Sequence, residues 1–153
     1  MDAEHDRVRA STSSDVLDKL DREQLERVAA LVGAPPQTIT ERLRELDREW
    51  DVERVLEANA SSLTLLGVLL SVTHSRRWLL LAAVVPAFLL QHALQGWCPP
   101  LALLRRLGIR TRREIDTERT ALKALRGDFS ELPAGAAGAR DAARRAVQAA
   151  RSR

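Results

Sequence analysis

The chain has 153 residues, enough for one domain or a small domain with tails, and its 24 basic and 21 acidic side chains give a net charge of +3. The charge is uneven, because residues 1–60 carry 9 basic and 15 acidic side chains whereas residues 97–153 carry 13 and 6. The single cysteine excludes a disulfide within the chain. The first 40 residues hold no signal-like apolar stretch, so we expect membrane targeting to come from an internal segment.

The first third of the chain predicts amphipathic helices. We expect residues 1–13 to be disordered and residues 14–54 to form an acidic helical segment. Capping boxes at Asp21-x-x-Gln24 and Thr38-x-x-Glu41 predict helix starts. Because no breaker follows before Thr73, the second helix is predicted to continue into the apolar centre. The acidic charge of this segment opposes DNA phosphate, so we expect no nucleic-acid partner.

The centre contains two apolar runs, residues 60–73 and 78–93, joined by a short polar turn. Each run is shorter than the roughly 20 residues of a typical spanning helix, so two core helices of a soluble bundle are one alternative. The other alternative is a membrane hairpin, which we favour because both runs are apolar all round and the remaining chain is too charged to cover them. We therefore predict a transmembrane hairpin over residues 55–97, with spans of about 55–73 and 78–97.

Tryptophans and small residues support the membrane alternative. Trp78 and Trp97 are separated by roughly 28 Å along a helix, close to the thickness of a hydrocarbon core, and tryptophan prefers both interfaces. Small residues recur at helical spacing and are predicted to let the helices approach closely. These predicted helix-packing residues are Ala60, Thr64, Gly67 and Ser71 in the first helix, and Ala83 and Ala87 in the second.

Arginines predict the orientation. Nine flank the hairpin within about 20 residues, and only Arg76 and Arg77 lie in the turn, which predicts that both termini are cytoplasmic. We expect residues 98–128 to form basic interfacial helices and residues 129–153 to be a flexible Ala/Arg-rich tail. The basic segment either lies along anionic lipid headgroups or is ordinarily solvated. The candidate headgroup contacts are Arg105, Arg106, Arg110, Arg112 and Arg113.

Three stretches, "LEANASSLTLLGVLLSV", "RRWLLLAAVVPAFLLQHALQGWCPPLALLRRLG" and "RTRREIDTERTALKALRGDF", resemble the YgaP-like inner-membrane domain family of bacteria. The shared motif is Gly-x-Cys-Pro with a later Leu-Gly, here at Gly96, Cys98, Pro99, Leu107 and Gly108. The resemblance implies a bacterial inner-membrane module that self-associates in some members. It does not imply sulfur transfer, because the rhodanese domain and a second cysteine are missing here.

The turn Gly96, Trp97, Cys98, Pro99 and Pro100 is the candidate site. Cys98 is either a reactive thiol or a small packing residue in a tight turn; it follows one helix C-terminus, which disfavours a thiolate, and precedes a helix N-terminus, which favours one. His92 is expected to be hydrogen-bonded to a neighbour. No metal cluster, cofactor or hydrolase motif is found, and neither run carries the charged residues of an ion pathway.

The sequence therefore predicts an all-α protein, a two-helix transmembrane hairpin flanked by amphipathic cytoplasmic or interfacial helices. We expect a non-enzymatic, self-associating interaction or anchor module whose partners are the lipid bilayer and further copies of the chain. The alternative function is thiol-dependent sulfur or redox handling at Cys98 with a separate enzyme.

Overall fold

A computed structural model describes residues 6–130, 146–148 and 150, and all regular secondary structure in this part of the chain is helical, which confirms the all-α prediction. The helices are α1 Arg7–Ala10, α2 Ser14–Ala29, α3 Pro36–Arg48, α4 Val52–Thr73, α5 Leu79–Gln95, α6 Pro99–Arg106 and α7 Arg112–Arg126, with a 3₁₀ turn at Arg76–Trp78. By contacts the chain divides into two units. The first contains Met1–Leu20 and Trp50–Arg113, and the second contains Asp21–Glu49 and Glu114–Arg153.

The predicted continuity from Thr38 to Thr73 is wrong. Helix α3 ends at Arg48, Glu49 is extended, and Asp51 begins α4 by accepting a hydrogen bond from the Arg54 backbone N–H at 2.7 Å. An aspartate at this position satisfies a backbone donor that a helix start leaves open. The apolar helix is therefore a separate element with its own cap.

The two predicted capping boxes in the first third of the chain are also wrong. Asp21 lies inside α2, which runs without interruption from Ser14. Helix α3 begins at Pro36 and has no side-chain cap. Proline suits this first position because it has no backbone N–H that would need a partner.

The first unit has an apolar core at one end of the two long helices. Its buried residues are Val8, Val52, Leu56, Cys98 and Leu101. Val8 lies in α1, so the prediction that residues 1–13 are disordered is wrong for residues 6–13; residues 1–5 lie outside the described part. Burying one valine from a four-residue helix fixes that segment against the bundle.

The helices α4 and α5 are packed against each other and are long and apolar enough to cross a membrane. Only 17% of the most apolar part of the stretch that ends at Thr73, and 6% of that of Arg76–Gln95, is buried inside the protein. A core helix of a soluble protein would be mostly buried. The exposed apolar surfaces of α4 and α5 therefore favour the interpretation that these helices contact lipid. Helix α4 starts three residues before its predicted span, at Val52, whereas α5 starts one residue after its predicted span and ends two residues earlier than predicted.

The second unit is held by α3 and α7. Its core contains Ile39, Leu43 and Leu46, which form the apolar stripe of α3, and Ile115 and Leu122 of α7. The predicted flexible tail, residues 129–153, lies mostly outside the described residues, namely at 131–145, 149 and 151–153.

Candidate functional site at one end of the helix pair

The turn after α5 is built by Gly96, Cys98 and the two prolines. Gly96 ends α5 in the left-handed conformation (φ 72°), and its N–H donates to the carbonyl of His92 at 2.7 Å. Cys98 is extended and precedes α6, whose first two residues are Pro99 and Pro100. Proline fits these two positions because the backbone N–H groups of a first helical turn have no partner within the helix. The motif is therefore a tight turn that connects α5 to α6.

Cys98 is buried, with 2% of its surface exposed, within the core of the first unit. Burial raises the pKa of the Cys98 thiol above its ordinary value, and the Leu101 backbone hydrogen bond opposes this only in part. A reactive cysteine needs an exposed site and a stabilised thiolate. The surroundings of Cys98 therefore favour a packing role.

A polar cavity of about 590 Å³ lies beside this turn, between α1, the start of α4 and the end of α5. Its charged lining consists of Asp6, Arg7, Glu53, Glu57, Arg112 and Arg113. Leu56, Leu89 and His92 complete its wall toward the helix pair. Acidic and basic residues thus line one cavity at the ends of two apolar helices.

Two buried side-chain atoms, in residues that line this cavity, have no hydrogen-bond partner among the described residues. They are Nδ1 of His92, a residue with 9% of its surface exposed, and Oε2 of Glu53. The expectation that His92 is hydrogen-bonded to a neighbour is thus not met at Nδ1. Buried polar atoms are nearly always paired in folded proteins. Both of these atoms are inaccessible from the cavity, so they are unpaired groups within the packing beside it.

Helix α1 lies at the edge of the cavity and is in close contact with Gly96. A Cβ atom at Gly96 would lie 2.3 Å from Cβ of Arg7, closer than real side chains approach. The guanidinium of Arg7 donates to the Leu94 carbonyl at 2.9 Å, which satisfies an open carbonyl in the last turn of α5. Gly96 is therefore required both by the turn and by the close approach of α1.

An apolar cleft of about 420 Å³ lies elsewhere along the helix pair, between α4, α5 and α6. Its lining includes Ala60, Leu63, Phe88, Cys98 and Leu104. The thiol therefore faces an apolar space that lacks a charged residue, and nothing in this lining would stabilise a thiolate.

The predicted packing residues of α4 lie on its less exposed face. Gly67 is buried, and a Cβ there would lie 3.0 Å from the Ala82 backbone nitrogen, so the two helix backbones are close together at this point. Ala60, Thr64 and Ser71 are partly buried on the same face.

The predicted packing residues Ala83 and Ala87 of α5 take no part in its contact with α4, and their role in helix packing stays a prediction. Both are exposed, whereas Ala82 is partly buried and lies against Gly67. The face of α5 that meets α4 contains Ala82, which lies against Gly67, and the buried His92. The small pair therefore faces away from α4.

The two predicted interface tryptophans are partly exposed at the ends of α5. Trp78 closes the 3₁₀ turn before the helix, and Trp97 follows Gly96. The exposed fractions of their side chains, 38% and 43%, leave both rings available to a membrane interface.

The five arginines predicted to contact lipid headgroups do not share one environment. Arg105 and Arg110 are buried, so headgroup contact by these two is wrong for this structure. Arg105 donates to the Thr12 hydroxyl at 3.1 Å and to the Ile109 carbonyl at 3.0 Å, so it joins α6 to the start of the chain. Arg106, Arg112 and Arg113 are exposed.

Sequence reasoning missed the polar cavity because its lining comes from four separate segments. Glu53 and His92, two polar residues near the ends of the apolar runs, were the only indication of this cavity that the sequence offered. In the described residues, no group of three or more His, Cys, Asp or Glu side chains is placed to hold a metal ion.

Residues 51–114 match the family model of the inner membrane protein YgaP-like, transmembrane domain. The match covers less than half of the chain and includes α4, α5, α6 and the motif from Gly96 to Pro100. It confirms the resemblance drawn from the sequence and, with the two apolar helices, supports a membrane location. The chain matches no curated protein and no solved structure among those compared.

Proposed function

We propose that this chain, whose residues 51–114 form a YgaP-like transmembrane domain, is a non-enzymatic anchor module that self-associates in the bacterial inner membrane. The observation that carries the proposal is the exposed apolar surface of α4 and α5. Large side chains such as Leu65, Val72, Leu80 and Leu90 are more than half exposed along both helices. A surface of this kind needs lipid or another apolar helix as its surroundings.

The outward face of α5 supports self-association. Ala83 and Ala87 are four residues apart and exposed, so a second helix can approach the α5 backbone there. Because lipid gives little hydrophobic drive for helix association, close backbone packing at small residues is the usual basis of contact. The surroundings of Cys98, with its burial and raised pKa, favour an anchor over thiol chemistry.

Co-isolation of two differently tagged copies from membranes tests the self-association. Replacing both small residues, with Ala83→Ile and Ala87→Ile, is expected to abolish co-isolation because it fills the approach surface. Ser61→Ile, which adds similar bulk at an exposed position of α4, is the matched control and is expected to preserve it. Co-isolation that survives the double substitution would refute this contact.

Both termini are proposed to be cytoplasmic, because nine arginines flank the helix pair and two lie in its turn. His74 is exposed in the turn between the two apolar helices. In a Cys98→Ala background, the His74→Cys variant is expected to react with an impermeant maleimide added outside the inner membrane. Labelling only after the membrane is opened would show the reverse orientation.

A further inference from the structure

The apolar cleft between α4, α5 and α6 is an accessible space of about 420 Å³, within the roughly 300–1,000 Å³ typical of ligand sites. Leu63 and Phe88 line it from the two long helices, and 44% and 42% of their surfaces are exposed. None of the described residues that line it is charged. The amide side chain among them, that of Asn59, donates to the Val55 carbonyl of its own helix at 2.9 Å. The cleft therefore presents a mainly apolar surface to whatever surrounds the helices.

Helix α6 contributes a wall that differs from an ordinary helix start. Pro99 and Pro100 are the first two residues of α6, and both line the cleft. The first turn of a helix normally presents backbone N–H groups that bind phosphate or carboxylate, and proline has no such group. This wall therefore presents ring carbons in place of donors, which suits a hydrocarbon and not an anionic headgroup.

The cleft is continuous with the surface that a membrane location places in lipid. Leu63 and Phe88 belong both to its lining and to the exposed apolar surfaces of α4 and α5. Along α4 its lining extends from Leu56 to Leu63, roughly 10 Å at ~1.5 Å per residue. The acyl chains of a bilayer run in the same direction as a spanning helix, so a chain beside α4 and α5 can enter this cleft lengthwise.

We propose that the cleft holds one acyl chain of a membrane phospholipid and retains it more tightly than the lipid around the rest of the helix pair. A chain in the cleft contacts three helices, whereas a chain elsewhere lies against one convex surface, so more dispersion contacts form in the cleft. A second spanning helix would need contact along ~30 Å, about three times the length of this lining. The inference rests on the membrane location in the proposed function and is independent of self-association.

Retention of phospholipid by the full chain in detergent, measured by native mass spectrometry, tests the proposal. The probe is palmitoyl-oleoyl phosphatidylglycerol, supplied as vesicles from which the chain is extracted at increasing detergent concentration. We expect one lipid per chain to remain after the others have been removed. The double variant Leu63→Ala and Phe88→Ala shortens two walls, so it should lower this retention about tenfold or more, because much of the apolar contact is lost.

Matched variants separate the cleft from the general lipid contact. Leu65→Ala with Leu90→Ala is the first control, because both leucines are 61% exposed on the same two helices and lie outside the lining. Ala60→Phe fills the cleft and should also release the lipid, whereas Ser61→Phe adds the same ring at the next, exposed position and should not. The truncations affect exposed side chains, so they test the proposal even if Ala60→Phe does not fold.

The outcomes are distinct. Loss of the retained lipid in the cleft variants, with its preservation in both controls, would support the proposal. Equal loss in cleft and control variants, or an unmodified chain from which all lipids leave together, would overturn it. A dimer that carries no lipid and dissociates in the cleft variants would assign the cleft to a second copy and would also overturn it. Recovery of the chain in the soluble fraction of cells would refute the membrane location itself, and the inference with it.

Discussion

Gly67 of α4 lies directly against Ala82 of α5, so that a Cβ on the glycine would be 3.0 Å from the Ala82 nitrogen and 3.1 Å from the Trp78 carbonyl oxygen. At this point the backbones of the two apolar helices approach each other closely. Because the neighbouring atoms belong to backbone, they have little freedom to move aside. The contact fixes which faces of the helices meet and which remain outside.

A large side chain at Gly67 is expected to separate the two helices. Gly67→Leu should lower the free energy of unfolding by about 1–3 kcal/mol, the range of overpacking, because the added atoms collide with backbone. Thermal unfolding in detergent, followed by circular dichroism, measures the change. Val68→Leu at the adjacent exposed position is the control. Equal stability of both variants would contradict the close contact.

Gly96 is expected to tolerate no side chain, for two separable reasons. Gly96→Ala adds left-handed backbone strain of about 1–2 kcal/mol and a collision with Arg7, so it should release α1 and expose residues 6–13 to protease. Gly108→Ala carries a similar positive φ but meets no atom within 4 Å, so it should show the strain alone. If both variants are cleaved near the N-terminus at the same rate, α1 is not held by this contact.

Cys98 is expected to behave as a buried packing residue. Its folded pKa is raised by burial, so the thiol stays protonated in the folded chain at a pH where an unfolded chain has begun to ionise. The stability that it contributes is complete below the ordinary thiol pKa and is lost as pH rises through the higher folded value. Maleimide labelling of the folded protein should be slow at neutral pH and should accelerate in detergent that unfolds it. Rapid labelling at neutral pH would support the thiol alternative instead.

Glu118 holds the second unit together through two arginines. Its carboxylate is fully buried and accepts from Arg42 at 2.8 Å and from Arg27 at 3.2 Å. Glu118→Gln should destabilise the chain by about 2–3 kcal/mol, because it removes the buried negative charge that compensates two partly buried arginines. Hydrogen exchange of α3 and α7 amides would report the loss.

Glu45 provides the control for this prediction. It also pairs with Arg42 at 2.8 Å but is mostly exposed, so Glu45→Gln should change stability by about 0–1 kcal/mol. An equal effect of the two substitutions would show that the buried carboxylate has no special role.

The apolar helices and the motif were predictable from sequence because local composition determines them. Two uninterrupted apolar runs with flanking tryptophans, and glycine followed by proline at Gly96 and Pro99, have few structural alternatives. The break between α3 and α4, from Glu49 to Asp51, could not be predicted from the sequence, since it contains no glycine or proline that would end a helix. It arises because Asp51 caps α4 and the Val52 N–H donates to the Arg110 carbonyl at 3.0 Å, a partner distant in sequence.

The candidate cavity and the contact face of α5 could not be derived from spacing alone. Ala82 and Ala83 are equally small, and a rotation of about 100° decides which of them meets α4. That rotation is set by Gly67 and by the inward position of His92, which are tertiary features. The cavity likewise depends on α1, whose approach to Gly96 joins residues about 90 positions apart.

Oxidative cross-linking along α5 in native membranes tests the proposed self-association most directly. Single cysteines at residues 80 to 90, in a Cys98→Ala background, would be scanned for disulfide-linked dimers. The account predicts maxima at the exposed Ala83 and Ala87, and minima at Ala82, which lies against Gly67, and at the partly buried Val85 and Leu89. Maxima on the face toward α4, or no cross-linked dimer at any position, would contradict it.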